Sequence, residues 1–291
     1  FRTEFLFMGR PEAPTEGEQV AAYRAVLRAF GPDRPVVIRL ADIGGDKPIP
    51  YLNLAHEDNP FLGVRGLRLA YGTGRELYLT QIRAIARAGG EAGVVPHLMA
   101  PMVATVEDVE LLLELRAEAE AALDRSGLPR ADRLVTGIMI EVPSAALLAA
   151  ELARRVDFFS IGSNDLTQYV LAADRSNGRL GQLQDALHPA VLRAIASVVA
   201  GADGSGIPVA VCGELASEPA GALVLVGLGV DELSMDAGSL DQVRLGLSQS
   251  RSVDLEELGR RALGATTASA VRELARSTAP AGSMAPTATE R

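Results

Sequence analysis

Short apolar, β-branched runs alternate along the chain with longer stretches of helical period. Residues 36–40, 96–102, 135–141, 158–163, 209–212 and 232–235 read as strands. Between them, Thr105-Val-Glu-Asp108 is a helix start, with Thr105 as N-cap and early acids facing the helix dipole. That helix should run to about Arg125, where Ser126-Gly127-Leu128-Pro129 stops it. Further helices are expected over 144–155, from Pro189 to about Ala200, over 218–228, and on to about Arg276. The strands are apolar on both faces, as in a buried parallel sheet. Repeated strand-then-helix order with right-handed crossovers gives either a doubly wound sheet or an eightfold barrel. A count of roughly seven strands, plus a truncated one at the start, favours a (β/α)8 TIM barrel over residues 1–277, with a disordered tail over 278–291 rich in Ala, Pro, Thr and Ser.

Charge interrupts this pattern at particular places. Arg39 sits inside Val-Val-Ile-Arg-Leu, Glu141 ends Gly-Ile-Met-Ile-Glu, Asn164 and Asp165 end Ser-Ile-Gly-Ser-Asn-Asp, and Cys212 and Glu214 end Val-Ala-Val-Cys-Gly-Glu. In a barrel, the C-terminal strand ends form the active-site mouth. One polar strand end is commonly just solvated; four at corresponding positions are not explained that way. Glu141 and Asp165 lie about one βα unit apart, so their carboxylates sit on adjacent strand ends. Two hard oxygen donors, completed by water and substrate oxygens, suit Mg2+. On spacing alone a pair of capping or salt-bridged acids fits equally well. Arg2, Arg39, Arg65 and Arg175 adjoin strand ends or the loops after them, and arginine holds phosphate or carboxylate in a bidentate fork. A Mg2+ site ringed by arginines points to a small phosphorylated polyanion. Asp42-Ile-Gly-Gly-Asp46-Lys47 is a glycine-bearing turn without the spacing of a nucleotide P-loop. His188 reads as a helix cap and His97 as the start of a buried strand; neither is assigned chemistry.

Composition narrows the classes. At 291 residues and 48% hydrophobic, the chain is neither a disulfide-stapled miniprotein nor a disordered one. A single cysteine excludes an intrachain disulfide and a multi-cysteine zinc site, and fits a reducing compartment. A net charge of −9 argues against a general nucleic-acid binder, and no apolar stretch approaches the ~20 residues that cross a bilayer. A cytoplasmic location is expected. Of 28 basic residues only Lys47 is lysine, a bias that reads first as genomic composition. The opening Phe1-Arg2-Thr3-Glu4-Phe5 lacks an initiator methionine and reads as a fragment with its first strand clipped.

A family resemblance rests on several of these segments together. Arg2-Thr-Glu-Phe-Leu-Phe-Met8, Pro14-Thr-Glu-Gly-Glu-Gln19, Asp42-Ile-Gly-Gly-Asp-Lys47, Asn59-Pro-Phe-Leu-Gly63, Asp157-Phe-Phe-Ser-Ile-Gly162, Asn164-Asp-Leu-Thr-Gln-Tyr169 and Cys212-Gly-Glu-Leu-Ala216 resemble enzyme I of the bacterial sugar phosphotransferase system, from Arg2 to about Ala270. The resemblance implies a (β/α)8 barrel that binds phosphoenolpyruvate and Mg2+ and forms a homodimer. It implies a separate domain whose histidine accepts the phosphoryl group and passes it to a histidine-containing phosphocarrier protein. By motif, Glu141 and Asp165 become metal ligands; Arg2, Arg39, Arg65 and Arg175 the substrate clamp, with Asn164 and Lys47 contributing; and Cys212 the proton donor to the pyruvate enolate. A thiol of ordinary pKa, about 8.5, is protonated at neutral pH and can serve. Val142 and Ser163 stand where the family often has threonine, and neither change removes a ligand. No glycine-rich Ser-His phosphoacceptor motif occurs. A phosphoenolpyruvate synthase or pyruvate phosphate dikinase barrel, a nitrogen-regulatory enzyme I, and a non-catalytic sensing or dimerising module are the competing readings.

Overall fold

The computed structural model describes residues 1–45, 49–52 and 54–278. Lys47 and the tail from 279 onward lie outside the described residues. Two compact units divide the chain, residues 1–139 and residues 140 onward. The architecture is parallel α/β, with six strands among the described residues.

In the first unit, helix α1 (Glu16–Phe30) opens on a capping box. Thr15 accepts from the Glu18 N–H while the Glu18 carboxylate accepts from the Thr15 N–H, so two of the donors a helix start leaves unpaired are satisfied together. Strand β1 (Val37–Arg39) pairs in parallel with β2 (His97–Ala100), and β2 with β3 (Val135–Ile140). Helices α2 (Arg75–Ala92) and α3 (Val106–Ser126) lie between these strands in sequence, and α2 packs against both α1 and α3. Ile38, Leu98, Ile82, Ile85, Leu112 and Leu115 are fully buried between them. Burying each such side chain is worth about 1.5–3 kcal/mol. Thr105 is the N-cap of α3, in a second capping box with Asp108, and Gly127 ends that helix in the left-handed region. His97 begins β2 as expected.

The second unit repeats the order. Helices α4 (Pro143–Leu147) and α5 (Ala149–Ala153) precede strand β4 (Phe158–Gly162) and helix α6 (Ser163–Val170). Helix α7 (Pro189–Asp203), strand β5 (Val209–Cys212), helices α8 (Glu214–Ser217) and α9 (Pro219–Gly227), and strand β6 (Glu232–Ser234) follow. Helices α10 (Leu240–Ser248), α11 (Ser252–Gly264) and α12 (Ala268–Thr278) complete the unit. Strands β4, β5 and β6 pair in parallel in that order. Phe159, Ile161 and Val211 of the strands are buried, as are Leu192, Ile195 and Val198 of α7 and Val224 and Leu225 of α9. His188 caps α7, its Nδ1 accepting from the Ala190 N–H.

Two expectations change. The single helix over 144–155 is two short ones, because Leu148 turns to ψ 14° and interrupts the ladder. Six strands form among the described residues where roughly seven, besides a truncated one at the start, were expected. Between β1 and β2 the chain makes 3-10 turns at Pro50–Leu52 and Gly66–Tyr71, and the prolines at 50 and 60 have no N–H for a ladder. The last helix, Ala268–Thr278, agrees with the expected run of helices to about Arg276. Near the start of the chain, Arg2 makes one isolated parallel bridge to Arg39.

Candidate functional site

The first unit carries three of the four arginines expected to clamp the substrate, joined near the C-terminal end of β1. Arg39 is the last residue of that strand, and its Nη2 donates to Glu4 Oε1 at 2.7 Å. The same oxygen accepts from the Asp42 N–H at 2.8 Å. Asp42 in turn holds Arg65, with Nη2 to Oδ2 at 2.8 Å and Nε to Oδ1 at 3.3 Å. Arg65 is 0% exposed and its guanidinium lies 5.7 Å from the centre of the Phe61 ring. Glu4 and Asp42 therefore join Arg39 and Arg65 into one buried chain of charge. Arg2, exposed, enters through its bridge to Arg39.

A second layer fixes that chain. Gln81, wholly buried on α2, accepts from the Ala41 N–H at 3.0 Å and donates to Thr3 Oγ1 at 2.8 Å and to the Tyr23 hydroxyl at 3.0 Å. Thr3 Oγ1 donates to the Arg39 carbonyl at 2.8 Å. The Tyr78 hydroxyl lies within 2.8 Å of the carbonyls of both Ala41 and Gly66. Burial, then the charges of Asp42 and Glu4, push its pKa well up, so it remains a donor. Gly44 shows why the turn after β1 carries glycine. It sits at φ +103°, and a Cβ there would lie 2.7 Å from both Arg65 Cβ and the Val64 carbonyl.

The second unit carries the acids, the amide and the thiol. Glu141, 1% exposed, follows β3 directly and precedes α4. Asn164 and Asp165 lie in the first turn of α6, at the end of β4. Arg175 Nη1 donates to Asp165 Oδ2 at 3.3 Å. The loop that bears Arg175 is tied back to α6, because the buried Gln168 Oε1 accepts from the Arg175 N–H at 2.9 Å. Cys212, a half-buried thiol in no disulfide, ends β5. Its carbonyl accepts from Ser163 Oγ at 2.9 Å, and Asn164 Oδ1 accepts from the Glu214 N–H at 3.2 Å. Gly213 links these at φ +106°; a Cβ there would stand 2.8 Å from Asn164 Oδ1 and closer still to Ser163 Oγ.

Within each unit the structure thus joins Arg2, Arg39 and Arg65, and joins Asp165 with Arg175 and Asn164 with Cys212. Sequence spacing missed Glu4, Gln81, Ser163 and Gln168. Glu4 lies within the family-like opening segment; Ser163 and Gln168 adjoin Asn164-Asp165, so their place in a motif was the available signal. Among the described residues no group of three or more His, Cys, Asp or Glu side chains is gathered to hold a metal ion. Two buried carboxylates with hard oxygen donors nevertheless fit Mg2+, which characteristically takes one or two carboxylates and completes its shell with water and substrate phosphate. Among the described residues no helix is long and apolar enough to cross a membrane.

These features define a parallel α/β protein whose first unit carries buried guanidinium and carboxylate groups near a strand end and whose second unit carries buried carboxylates and a half-buried thiol at its own strand ends. Residues 1–252 match the model described as PEP-utilising enzyme, PEP-binding domain, and the chain belongs to that family. It is 47% identical over 276 residues to a phosphoenolpyruvate-protein phosphotransferase of Haloferax volcanii, covering 94% of this chain and 48% of that protein. It is 45% identical to a protein of the same name from Bacillus sp. (strain S), over 86% of this chain and 42% of that one. A multiphosphoryl transfer protein of Rhodobacter capsulatus is 48% identical over 94% of this chain and 32% of its own length. The resemblance read from the motifs is borne out by these relatives. The chain spans about half the length, or less, of the relatives it matches.

Proposed function

We propose that this chain is the phosphoenolpyruvate-binding part of a phosphoenolpyruvate-protein phosphotransferase, an enzyme I, folded as a (β/α)8 barrel. The observation that carries the reading is 47% identity across 94% of the chain to a relative so named. The side-chain types agree with it. Arg2, Arg39, Arg65 and Arg175 hold the phosphate and carboxylate of the substrate, with Asn164 and Lys47 completing the polar contacts. Glu141 and Asp165 would hold Mg2+. When bound, that ion supplies Lewis-acid charge neutralisation to the phosphoryl and enolate oxygens. The arginines contribute the rest of the electrostatic stabilisation, since phosphoryl transfer is governed by positioning and charge.

The phosphoryl group passes to a histidine on a domain outside this chain, and from there to a histidine-containing phosphocarrier protein serving sugar uptake. Cys212 gives its proton to the enolate carbon and pyruvate leaves. The protein acts as a cytoplasmic homodimer, without nucleic acid and without membrane insertion. Radiolabelled phosphoenolpyruvate tests the transfer step, with the chain supplied with a separately produced histidine domain of an enzyme I. Label on the histidine together with an equal amount of pyruvate is expected with Mg2+ present, and neither with Mg2+ chelated. Binding of phosphoenolpyruvate without label transfer would favour a sensing module instead.

A further inference from the structure

We infer that Ser160 is a positioning residue for the Cys212 thiol, stabilising the sulfur as it gives up its proton. The inference rests on the proposed role of Cys212. Ser160 lies in the middle of β4 and Cys212 at the end of β5. The parallel register sets Ser160 opposite Ala210 and Gly162 opposite Cys212. Residues two apart on a strand share a face, so Ser160 and Cys212 project to the same side of the pair. The Ser160 hydroxyl donates to Cys212 Sγ at 3.7 Å. Ser160 is 6% exposed, which keeps bulk water from competing for that hydroxyl. The main chain of Cys212 is pinned separately by the Ser163 hydroxyl on its carbonyl. The thiol thus has one anchor on its backbone and a different one on its sulfur.

The chemistry gives the second anchor a use. When Cys212 protonates the enolate, a C–H bond forms at the methylene carbon and the S–H bond breaks. The S–H electron pair stays on sulfur as thiolate. A hydroxyl hydrogen bond to a charged acceptor is about twice as strong as one to a neutral acceptor. The Ser160 contact therefore strengthens as charge develops on sulfur, which is the condition for accelerating the step rather than merely holding the ground state. The reverse step follows from microscopic reversibility. Thiolate held by Ser160 removes a proton from the methyl group of pyruvate, leaving the C–H pair in the enolate. The thiol then exchanges with solvent and returns a deuteron in D2O. No phosphoryl donor or acceptor enters that cycle.

The test is methyl exchange of pyruvate in D2O, followed by proton NMR, with the 291-residue chain, Mg2+ and saturating pyruvate. Wild type is compared with Ser160→Ala, Ser160→Thr and Cys212→Ala, with pyruvate affinity measured for each by calorimetry. Cys212→Ala should fall to the uncatalysed rate. Ser160→Ala should exchange roughly 10–100-fold more slowly, the worth of a hydrogen bond to a charged group, with affinity within about twofold of wild type. Ser160→Thr keeps the hydroxyl and should recover most of the rate. Exchange by Ser160→Ala within about twofold of wild type, with Cys212→Ala inactive, overturns the Ser160 role and leaves Cys212 standing. Loss of both affinity and exchange in Ser160→Ala, not recovered by threonine, means packing alone and also overturns it. Exchange by Cys212→Ala at the wild-type rate, or none by a wild-type chain that binds pyruvate, removes the Cys212 role itself.

Discussion

Asp42→Asn probes the buried charge chain behind the clamp. Arg65 and Asp42 are 0% and 1% exposed at their side chains and meet through two hydrogen bonds. Asparagine keeps the volume, so no cavity confuses the result. It removes the charge and turns one acceptor oxygen into an amide that faces the guanidinium donors. Taking one partner from a buried pair costs about 3–5 kcal/mol, because the other charge stays buried with that carboxylate's compensation removed. At about 2–4 °C per kcal/mol for a protein of this size, the melting temperature should fall by roughly 6–20 °C. Circular dichroism melts of wild type and variant read this directly. Removing both charges, as Asp42→Leu with Arg65→Met, should recover at least half of the lost stability, since an apolar pair of similar volume is often as stable as an ion pair. The double variant should still fail to bind phosphoenolpyruvate, separating stability from the clamp role. A single Asp42→Asn variant that melts within about 1 °C of wild type refutes the reasoning.

Two further predictions concern local structure. Glu18 is held down to about 2, first by the hydrogen bond from Arg10 and then by the Thr15 N–H and hydroxyl. A carboxylate with a lowered folded pKa stabilises above its unfolded value near 4.5, and that contribution is lost as pH falls towards about 2. Glu18→Gln should therefore be less stable than wild type at neutral pH, with the gap closing across that window in thermal melts; parallel curves refute it. Gly213→Ala forces a side chain into a positive φ and against Asn164 and Ser163, which should cost about 1–3 kcal/mol and abolish pyruvate exchange; wild-type melting and exchange would contradict the strain.

The six strands among the described residues fall within the runs read from the sequence; β1 to β4 were legible because a buried parallel strand is apolar on both faces, whereas β6, exposed at Glu232 and Ser234, was read from its place in the strand-then-helix order. The caps at Thr105 and His188 were legible because a cap is local chemistry. Helices α1 and α2 fell outside that reading: they mix arginine and glutamate with alanine and are set in place by packing on each other. Glu4 was not legible as the partner of Arg39, since the two lie 35 residues apart and only the fold joins them. Ser160 was hidden for a related reason: it is a common polar residue inside an apolar strand, and its partner lies on a neighbouring strand. The polar strand ends themselves were visible, because charge inside an apolar run is costly to bury without a partner.

The most direct measurement is a calorimetric titration of the chain with phosphoenolpyruvate, with and without Mg2+, for wild type and Arg175→Ala. Arg175 is 30% exposed at its side chain, so its loss leaves no buried hole. The account predicts saturable binding that needs Mg2+ and is weakened about tenfold or more by Arg175→Ala, the value of one charge-assisted contact. Wild-type chain that shows no heat of binding with Mg2+ present, or a variant that binds as wild type does, would contradict it.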